Sequence, residues 1–129
     1  MIDDAVKKLA KAPNFATLTT LLPDGQPQTS VMWVDCDDEH VLINTEVHRQ
    51  KFKDIEREPR VTVAIWNKDN PYEYVEVRGR VMATTRGDAA RAHIDELSDK
   101  YTGHPYDAST IESERVLVRI APDRQRSQG

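Results

Sequence analysis

The chain has 129 residues, of which 38% are hydrophobic and 31% are charged, and it carries a formal net charge of -4 at pH 7. This length fits one domain over residues 1–129 and excludes two catalytic domains, while the composition excludes a disordered or fibrous chain. The mild acidity argues against a nucleic-acid partner, because such proteins usually carry a broad basic surface.

No segment approaches the ~20 apolar residues that a membrane-spanning helix needs, and residues 1–13 lack the apolar stretch of a signal peptide. We therefore expect no membrane association and a cytoplasmic location. The single cysteine, Cys36, fits a reducing compartment, and we interpret it as a small strand residue.

Hydrophobic spacing predicts a helix at residues 2–11, followed by a stop at Pro13. Two β-prone segments follow, residues 15–22 and 27–36, and the Pro-Asp-Gly turn between them predicts a hairpin. The rest of the chain predicts strands at 40–45, 60–66, 72–84 and 115–120 and helices at 50–58 and 88–101. The result is six strands, mostly antiparallel, in a sheet that closes or nearly closes into a barrel.

Two details concern the ends of these elements. Asp88 is a candidate N-cap for the helix at 88–101, and Gly103 follows its C-terminus. The polar residues after Ile120 are expected to be frayed, because little in them can pack.

Three cations, Arg49, Lys51 and Lys53, lie where strand 40–45 is predicted to lead into helix 50–58. Their charges and the free N–H groups of the first helical turn can converge on one small anion. A solvated helix face explains the same charges, with ion pairs between Asp54 and Arg57 and between Lys53 and Glu56. The residues alone leave both interpretations open.

Other catalytic signatures are absent from the sequence. The five glycines are too scattered for a phosphate-binding loop or a dinucleotide fingerprint. The four histidines share no metal-ligand spacing with one another or with Cys36, so no metal site is expected. No serine lies in a nucleophile-elbow context, and no catalytic side chain is assigned.

Three blocks of sequence carry a resemblance to a known family: FATLTTLLPDGQPQTSVMWVD, VLINTEVHRQKFKDIEREPRV and NPYEYVEVRGRV. They resemble the pyridoxamine 5'-phosphate oxidase-like split β-barrel proteins, and more narrowly the actinobacterial branch that uses the deazaflavin coenzyme F420. The likeness extends through residues 93–103 to 114–120. It implies a mainly β fold, a six-stranded antiparallel split β-barrel (the FMN-binding split barrel) with three short helices.

The resemblance also implies a homodimer with two cofactor sites at the subunit interface. The residues matching the family's cofactor contacts are Ser30, Val31 and Met32 along the ring system, Asn44 and Thr45 beside it, Arg49, Lys51 and Lys53 at the phosphate, and Tyr72 and Tyr74 as further contacts from either subunit. Family members often have Asn where this chain has Asp54, and a carboxylate there competes for Lys53.

The implied activity is hydride transfer from reduced F420 to an activated C=C bond of a small organic substrate, such as an enone, an unsaturated lactone or a quinone. His48 is a candidate proton donor or an electrostatic neighbour of the phosphate. An FMN-dependent oxidoreductase on the same fold is the nearest alternative, and a non-catalytic module that binds a flavin or haem is another. A basic groove beyond the phosphate favours F420, whose tail is anionic; its candidate residues are Arg57, Arg60, Arg78 and Arg80.

Overall fold

The structure is a computed structural model that describes residues 1–129. It contains one sheet of seven strands and three α-helices. In chain order the elements are α1 (Asp4–Lys11), β1 (Phe15–Leu21), β2 (Pro27–Met32), β3 (Asp35–Cys36), β4 (Val41–Glu46), α2 (Gln50–Arg57), β5 (Arg60–Asn67), β6 (Asn70–Arg86), α3 (Asp88–Thr102), a short 3₁₀ turn (Ala108–Thr110) and β7 (Arg115–Gln128).

The strands are ordered β2-β1-β5-β6-β7-β4-β3, and every neighbouring pair is antiparallel. The mainly β antiparallel architecture with three helices is as predicted. The prediction of six strands was wrong: there are seven. Hydrogen bonds do not close the sheet into a barrel, because β2 and β3 form its two edges.

The extra strand arises because the predicted segment 27–36 is interrupted at Trp33 and Val34. The backbone N–H of Val34 donates to the hydroxyl of Tyr101, and the carbonyl of Val34 accepts from Lys100. These side chains of α3 replace the ladder partners that a continuous strand would use. The chain therefore leaves one edge of the sheet at Met32 and rejoins the opposite edge at β3, where Cys36 is fully buried as a strand residue.

The predicted frayed C-terminus is a second correction. Residues 121–128 continue β7 and pair with β6 from Arg80↔Ala121 to Tyr74↔Gln128. The side chain of Gln125 also accepts from the N–H of Asp3 and donates to the carbonyl of Met1. Backbone pairing with a distant strand orders this segment, although its composition offers little apolar surface.

The pairing of the long strand β6 with β7 has two irregularities in its register, at Arg78/Gly79 and Val81/Ala83. At Gly79 the backbone of β7 comes so close that a Cβ atom would collide with the carbonyl of Ala121. A glycine is therefore required at this position for β6 and β7 to remain paired.

The helix α2 is anchored to the core by two apolar side chains, Phe52 and Ile55, which are both buried. Burying a large apolar side chain stabilises a fold by roughly 1.5–3 kcal/mol. These contacts fix the first turn of α2 beside the end of β4, which is where the basic residues of the sequence lie.

The helix α3 packs on β7, β6 and β4, and its side chains Ala90, Ile94 and Leu97 are buried. Its N-cap is Gly87 and not Asp88, which is a correction. Gly87 has φ 77°, a conformation that favours glycine, and Asp88 instead begins the helix, where its charge faces the positive end of the helix dipole. Gly103 is the C-cap, in the left-handed conformation, as expected.

None of the three α-helices combines the length with the apolar composition that crossing a bilayer requires.

Candidate cofactor site

A cavity of about 290 Å³ lies between the end of β2, the end of β4, the start of α2 and one face of α3. Its wall is completed by the segment that connects α3 to β7. The residues that line the cavity are Phe15, Val31, Met32, Trp33, Asn44, Thr45, Arg49, Lys51, Ile94, Leu97, Tyr106 and Arg115. None of them is acidic, and the cations gather at one end.

The cationic end consists of Arg49, Lys51 and Arg115. Arg49 is the N-cap of α2, and its Nη2 lies 3.5 Å from Oε2 of Glu46. Lys51 is half-buried and makes no ion pair or side-chain hydrogen bond. Burial lowers the pKa of Lys51, and the positive charges of Arg49 and Arg115 lower it further. Lys51 is therefore a cation without a counter-ion, in a position where a bound anion would favour its charged form.

Arg115 was not among the residues that the sequence suggested. It begins β7 and is only 7% exposed. Its Nε donates to Oδ1 of Asn44 at 2.8 Å, its Nη1 lies 3.3 Å from Oε2 of Glu46, and its guanidinium stacks 5.2 Å from the ring centroid of Tyr106. The one sequence signal was an arginine at the start of the apolar run RVLVRI, and that signal is weak, because a strand end is usually exposed.

Glu46 is the buried carboxylate behind the cations, at 1% exposure. Its Oε1 accepts the N–H groups of Glu112 and Ser113, each at 2.7 Å, and its Oε2 faces Arg115 and Arg49. Burial alone would raise the pKa of Glu46, but these hydrogen bonds and the two guanidinium charges outweigh burial and hold the pKa below its usual range. Glu46 is thus ionised at neutral pH and orients both arginines.

The rest of the cavity wall is mainly apolar and aromatic. Trp33 stacks on Tyr101 with the ring centroids 5.1 Å apart, and Tyr106 meets Trp33 edge-on at 6.2 Å. Ile94 and Leu97 of α3 add aliphatic surface. Such a wall suits a planar ring system more than a sugar or a free ion.

Two buried polar atoms have no hydrogen-bond partner, Oγ1 of Thr45 and Nε2 of His93. Thr45 lines the cavity, so its hydroxyl is available to a ligand. His93 lies behind the wall, where its Nδ1 is 3.0 Å from Nδ2 of Asn44. Burial lowers the pKa of His93 to about 4, so the imidazole is neutral at pH 7.

Six of the ten residues suggested for the cofactor site line this cavity: Val31, Met32, Asn44, Thr45, Arg49 and Lys51. The other four, Ser30, Lys53, Tyr72 and Tyr74, do not. Lys53 is exposed on α2, and the pairing predicted between Lys53 and Glu56 is absent. Tyr72 and Tyr74 are exposed on β6, which is separated from β4 by β7.

Asp54 does not compete for Lys53. It is fully buried, where it accepts from Thr20 and Gln50 at 2.8 Å each and lies 3.6 Å from Nη1 of Arg57. The predicted pairing of Asp54 with Arg57 is therefore present. This carboxylate ties α2 to β1 and makes no contact with Lys51, which stays without an ion pair.

His48 is exposed and is not part of the cavity wall. Its Nδ1 lies 2.6 Å from Oγ of Ser113, and its Nε2 lies 3.2 Å from Oε2 of Glu112. Both ring nitrogens thus have partners outside the cavity. A structural role in holding the segment before β7 accounts for these contacts.

The four arginines considered for an anionic tail each have a carboxylate neighbour. Arg60 pairs with Glu58 at 2.8 Å and Arg78 with Glu76 at 3.0 Å, and Arg80 and Arg57 are likewise paired. Within this chain they do not form an uncompensated basic groove. No group of three or more histidine, cysteine, aspartate or glutamate side chains is arranged to hold a metal ion.

Comparison with known proteins places this chain among relatives. A family model described as pyridoxamine 5'-phosphate oxidase matches residues 2–129. An F420 reductase of known structure is 30% identical, with a TM-score of 0.84, over 97% of this chain and 98% of that chain. A conserved hypothetical protein from Mycobacterium tuberculosis is 26% identical, with a TM-score of 0.76, over 99% of this chain and 85% of that chain.

A more distant structure is a pyridoxamine 5'-phosphate oxidase-related, FMN-binding protein from Nostoc punctiforme. It is 17% identical, with a TM-score of 0.65, over 86% of this chain and 71% of that chain, and this likeness concerns the fold alone. A search among curated proteins gives no match. The match over nearly the whole length shows that this chain belongs to the pyridoxamine 5'-phosphate oxidase family, as its sequence blocks indicated.

Proposed function

We propose that this chain is an F420-dependent oxidoreductase that transfers hydride from the reduced deazaflavin to an activated C=C bond of a small organic substrate. The observation that carries the proposal is the cavity itself, which combines a cluster of three cations, among them the unpaired Lys51, with an aromatic and aliphatic wall. The choice of F420 rests on the similarity to an F420 reductase at 30% identity over 97% of the chain.

In this proposal Arg49 and Lys51 hold the phosphate of the cofactor. The first N–H groups of α2 add to their charges, because the first turn of a helix has N–H groups without intrahelical partners. Lys51 has no counter-ion of its own, so an anion here replaces no existing ion pair. This absence favours a ligand site over a solvated helix face.

The ring system occupies the remainder of the cavity, against Val31 and Met32 of β2. The hydroxyl of Thr45 has no partner within the chain, and a polar edge of a flavin-like ring can supply one. The side chain of Asn44 is already engaged: its amide donates to the carbonyl of Ala90 and to His93, and its oxygen accepts from Arg115. Asn44 therefore mainly positions Arg115 and His93 and is not itself a main ligand of the cofactor.

When bound, reduced F420 supplies the hydride that such a reaction requires. The chain's own residues bind, orient and exclude water. The aliphatic side chains of α3 and the ring of Trp33 shield the apolar end from solvent, and they suit an uncharged, unsaturated substrate such as an enone, an unsaturated lactone or a quinone.

An FMN-dependent oxidoreductase is the second candidate. The FMN-binding protein from Nostoc punctiforme shares the fold, and the same cations suit the phosphate of FMN. The pairing of Arg60, Arg78 and Arg80 with carboxylates leaves no free basic groove for an anionic tail, which removes one reason to prefer F420.

We further propose a homodimer in the cytoplasm, with the cofactor sites at the interface. One face of the sheet carries exposed apolar and aromatic side chains: Phe15, Val31, Tyr72 and Tyr74. Val31, at 62% exposure, also lines the cavity, so a second copy on this face would cover the cavity's mouth. In that arrangement Tyr72 and Tyr74 of one protomer reach toward the cavity of its partner.

The direct test is a fluorescence titration of the purified protein with F420 and, separately, with FMN. We expect F420 to bind in the micromolar range or tighter, followed by turnover of the reduced coenzyme with an enone, a lactone or a quinone. Tight binding of FMN without binding of F420 would mean that the cofactor is FMN and not F420. Tight binding without turnover of any such acceptor would indicate a non-catalytic binding module.

Lys51→Ala tests the phosphate end of the site. We expect it to weaken cofactor binding by roughly 1–3 kcal/mol, the scale of a charge-assisted hydrogen bond. The matched control is Lys53→Ala, which removes an exposed lysine on the same helix and outside the cavity, and which should change the Kd little. Equal effects of the two substitutions would mean that only the general charge of the helix matters.

A further inference from the structure

One nitrogen of the Arg115 guanidinium has no hydrogen-bond partner, while the other two are held by neighbouring side chains. Its Nε and Nη1 are used by Asn44 and Glu46, while Nη2 has no hydrogen-bond partner. Arg115 lines the same cavity as Arg49 and Lys51. We propose that Arg115 is the third ligand of the bound anion and that its Nη2 donates directly to it. The inference rests on the proposed function, in which that anion is the cofactor phosphate.

The way in which Arg115 is held supports a binding role. Three contacts fix the plane of the guanidinium: Asn44 at 2.8 Å, Glu46 at 3.3 Å and the Tyr106 ring at 5.2 Å. Arginine loses considerable side-chain entropy when it binds an anion from a free rotamer. Here that entropy is lost during folding, so the free N–H groups are preorganised for a ligand.

The same contacts explain why the site can be strongly cationic and still fold. Glu46 faces both arginines through one oxygen, Oε2, while its other oxygen is held by backbone N–H groups. One carboxylate therefore pairs with two of the three cations, and Lys51 has no carboxylate of its own. The cluster keeps a surplus of two positive charges, with no acidic residue in the cavity wall to offset them.

This surplus predicts the chemistry of the ligand. A doubly charged anionic group balances it, either as a phosphate monoester or as a phosphate diester with a neighbouring carboxylate. The planar fork of an arginine matches the oxygens of a phosphate, and a compact lysine ammonium serves as a point charge beside it. Arg115 would then set the orientation of the bound anion, and Lys51 would contribute mainly charge.

The test uses Arg115→Lys, because Arg115→Ala would leave Glu46 buried without its closest charged partner and would endanger folding. A lysine at this position keeps the charge beside Glu46 and removes the free planar N–H group. The matched control is Arg119→Lys on the same strand: Arg119 donates to Thr85 and lies outside the cavity. Thermal unfolding in salt of equal ionic strength confirms that each variant is folded.

Three probes separate an anion ligand from a structural residue: inorganic phosphate, followed through the rise in Tm that it causes, and FMN and riboflavin, followed by fluorescence. We expect Arg115→Lys to weaken the binding of inorganic phosphate and of FMN about tenfold. The substitution should have little effect on the binding of riboflavin, which has no phosphate. Arg119→Lys should leave all three unchanged. Equal weakening of FMN and riboflavin, or wild-type affinity for phosphate, would overturn the proposal.

A parallel titration with F420 distinguishes the sources of the anion and separates this inference from the proposed function. If Arg115→Lys weakens the binding of F420 as much as the binding of FMN, Arg115 contacts the phosphate of either cofactor. If the wild-type protein binds neither cofactor but binds phosphate in a manner that depends on Arg115, the inference stands while the proposed function fails. If the cofactor binds and Arg115→Lys binds it equally well, the function stands and the inference fails.

Discussion

At the scale of one residue, the cavity shows how burial and charge act together. Lys51 is half-buried next to two arginines, and each of these three influences lowers its pKa. The charged form of Lys51 is therefore disfavoured in the free protein, and a neighbouring anion would stabilise it. The contrast with Lys53, two residues away and exposed, shows that position relative to the core decides which cation is available.

His93 gives a prediction about stability at acid pH. Its folded-state pKa lies near 4 because it is buried, whereas the unfolded chain protonates histidine near 6.5. As the pH falls below 6.5 the unfolded state binds a proton that the folded state does not, so stability decreases until the pH reaches about 4. The difference between these pKa values corresponds to roughly 3 kcal/mol.

The charged groups around His93 are Asp35 on β3, Lys100 on the same helix, and Arg115 and Arg119 on β7. We expect His93→Gln to lose less stability than the wild-type protein between pH 6.5 and pH 4, measured by urea unfolding. His104→Gln, at an exposed histidine, is the control and should follow the wild-type curve. Parallel curves for all three proteins would show that His93 is not the group responsible.

At the scale of one element, the second half of β7 is the clearest case of order that composition conceals. Residues 121–128 are polar apart from Ala121 and Pro122, yet their backbone forms the ladder with β6 that runs from Arg80 to Tyr74. Polar side chains are compatible with a strand because alternate residues face solvent. Backbone hydrogen bonding to β6 orders the segment, and the side chain of Gln125 adds two hydrogen bonds to the N-terminal residues.

We therefore predict that ending the chain after Ile120 destabilises the protein by several kcal/mol, at ~1 kcal/mol for each ladder hydrogen bond lost. Urea unfolding measures the effect. The control is the double substitution of Arg124 and Arg126 by Ser, which keeps the ladder and should stay within about 0.5 kcal/mol of the wild type. A truncated chain as stable as the full one would mean that the tail is frayed in solution.

At the scale of the whole molecule, the cavity opens onto the sheet face that we propose as the dimer interface. We expect the wild-type protein to be a dimer in light scattering and Tyr74→Arg to shift it toward monomer, because a buried tyrosine at an interface can contribute about 2 kcal/mol or more. The affinity for the cofactor should fall as the dimer dissociates, although Tyr74 is outside the cavity of its own chain.

Met82→Arg is the control for this experiment. Met82 is also exposed, at 63%, but it lies beside Ile55 of α2, away from the proposed interface. It should leave the oligomeric state and the affinity unchanged. A wild-type monomer that binds cofactor with full affinity would contradict both the dimer and the shared site.

The sequence by itself determined the order of the main helices and strands and the position of the basic residues at the start of α2. These features are local: turn residues, apolar periodicity and the exclusion of proline from helix interiors act over a few positions. The blocks that resemble the family also predicted six residues that line the cavity, including Arg49 and Lys51.

Only the tertiary structure decided the features that depend on contacts between distant segments. The break after Met32 exists because two side chains of α3 take the hydrogen bonds of Val34, and the last strand is ordered because β6 lies beside it. Arg115 joins Arg49 only because β7 pairs with β4, which brings together residues 66 positions apart along the chain. Sequence spacing carries no information about such pairings, so the charge of the cavity becomes visible only in the folded chain.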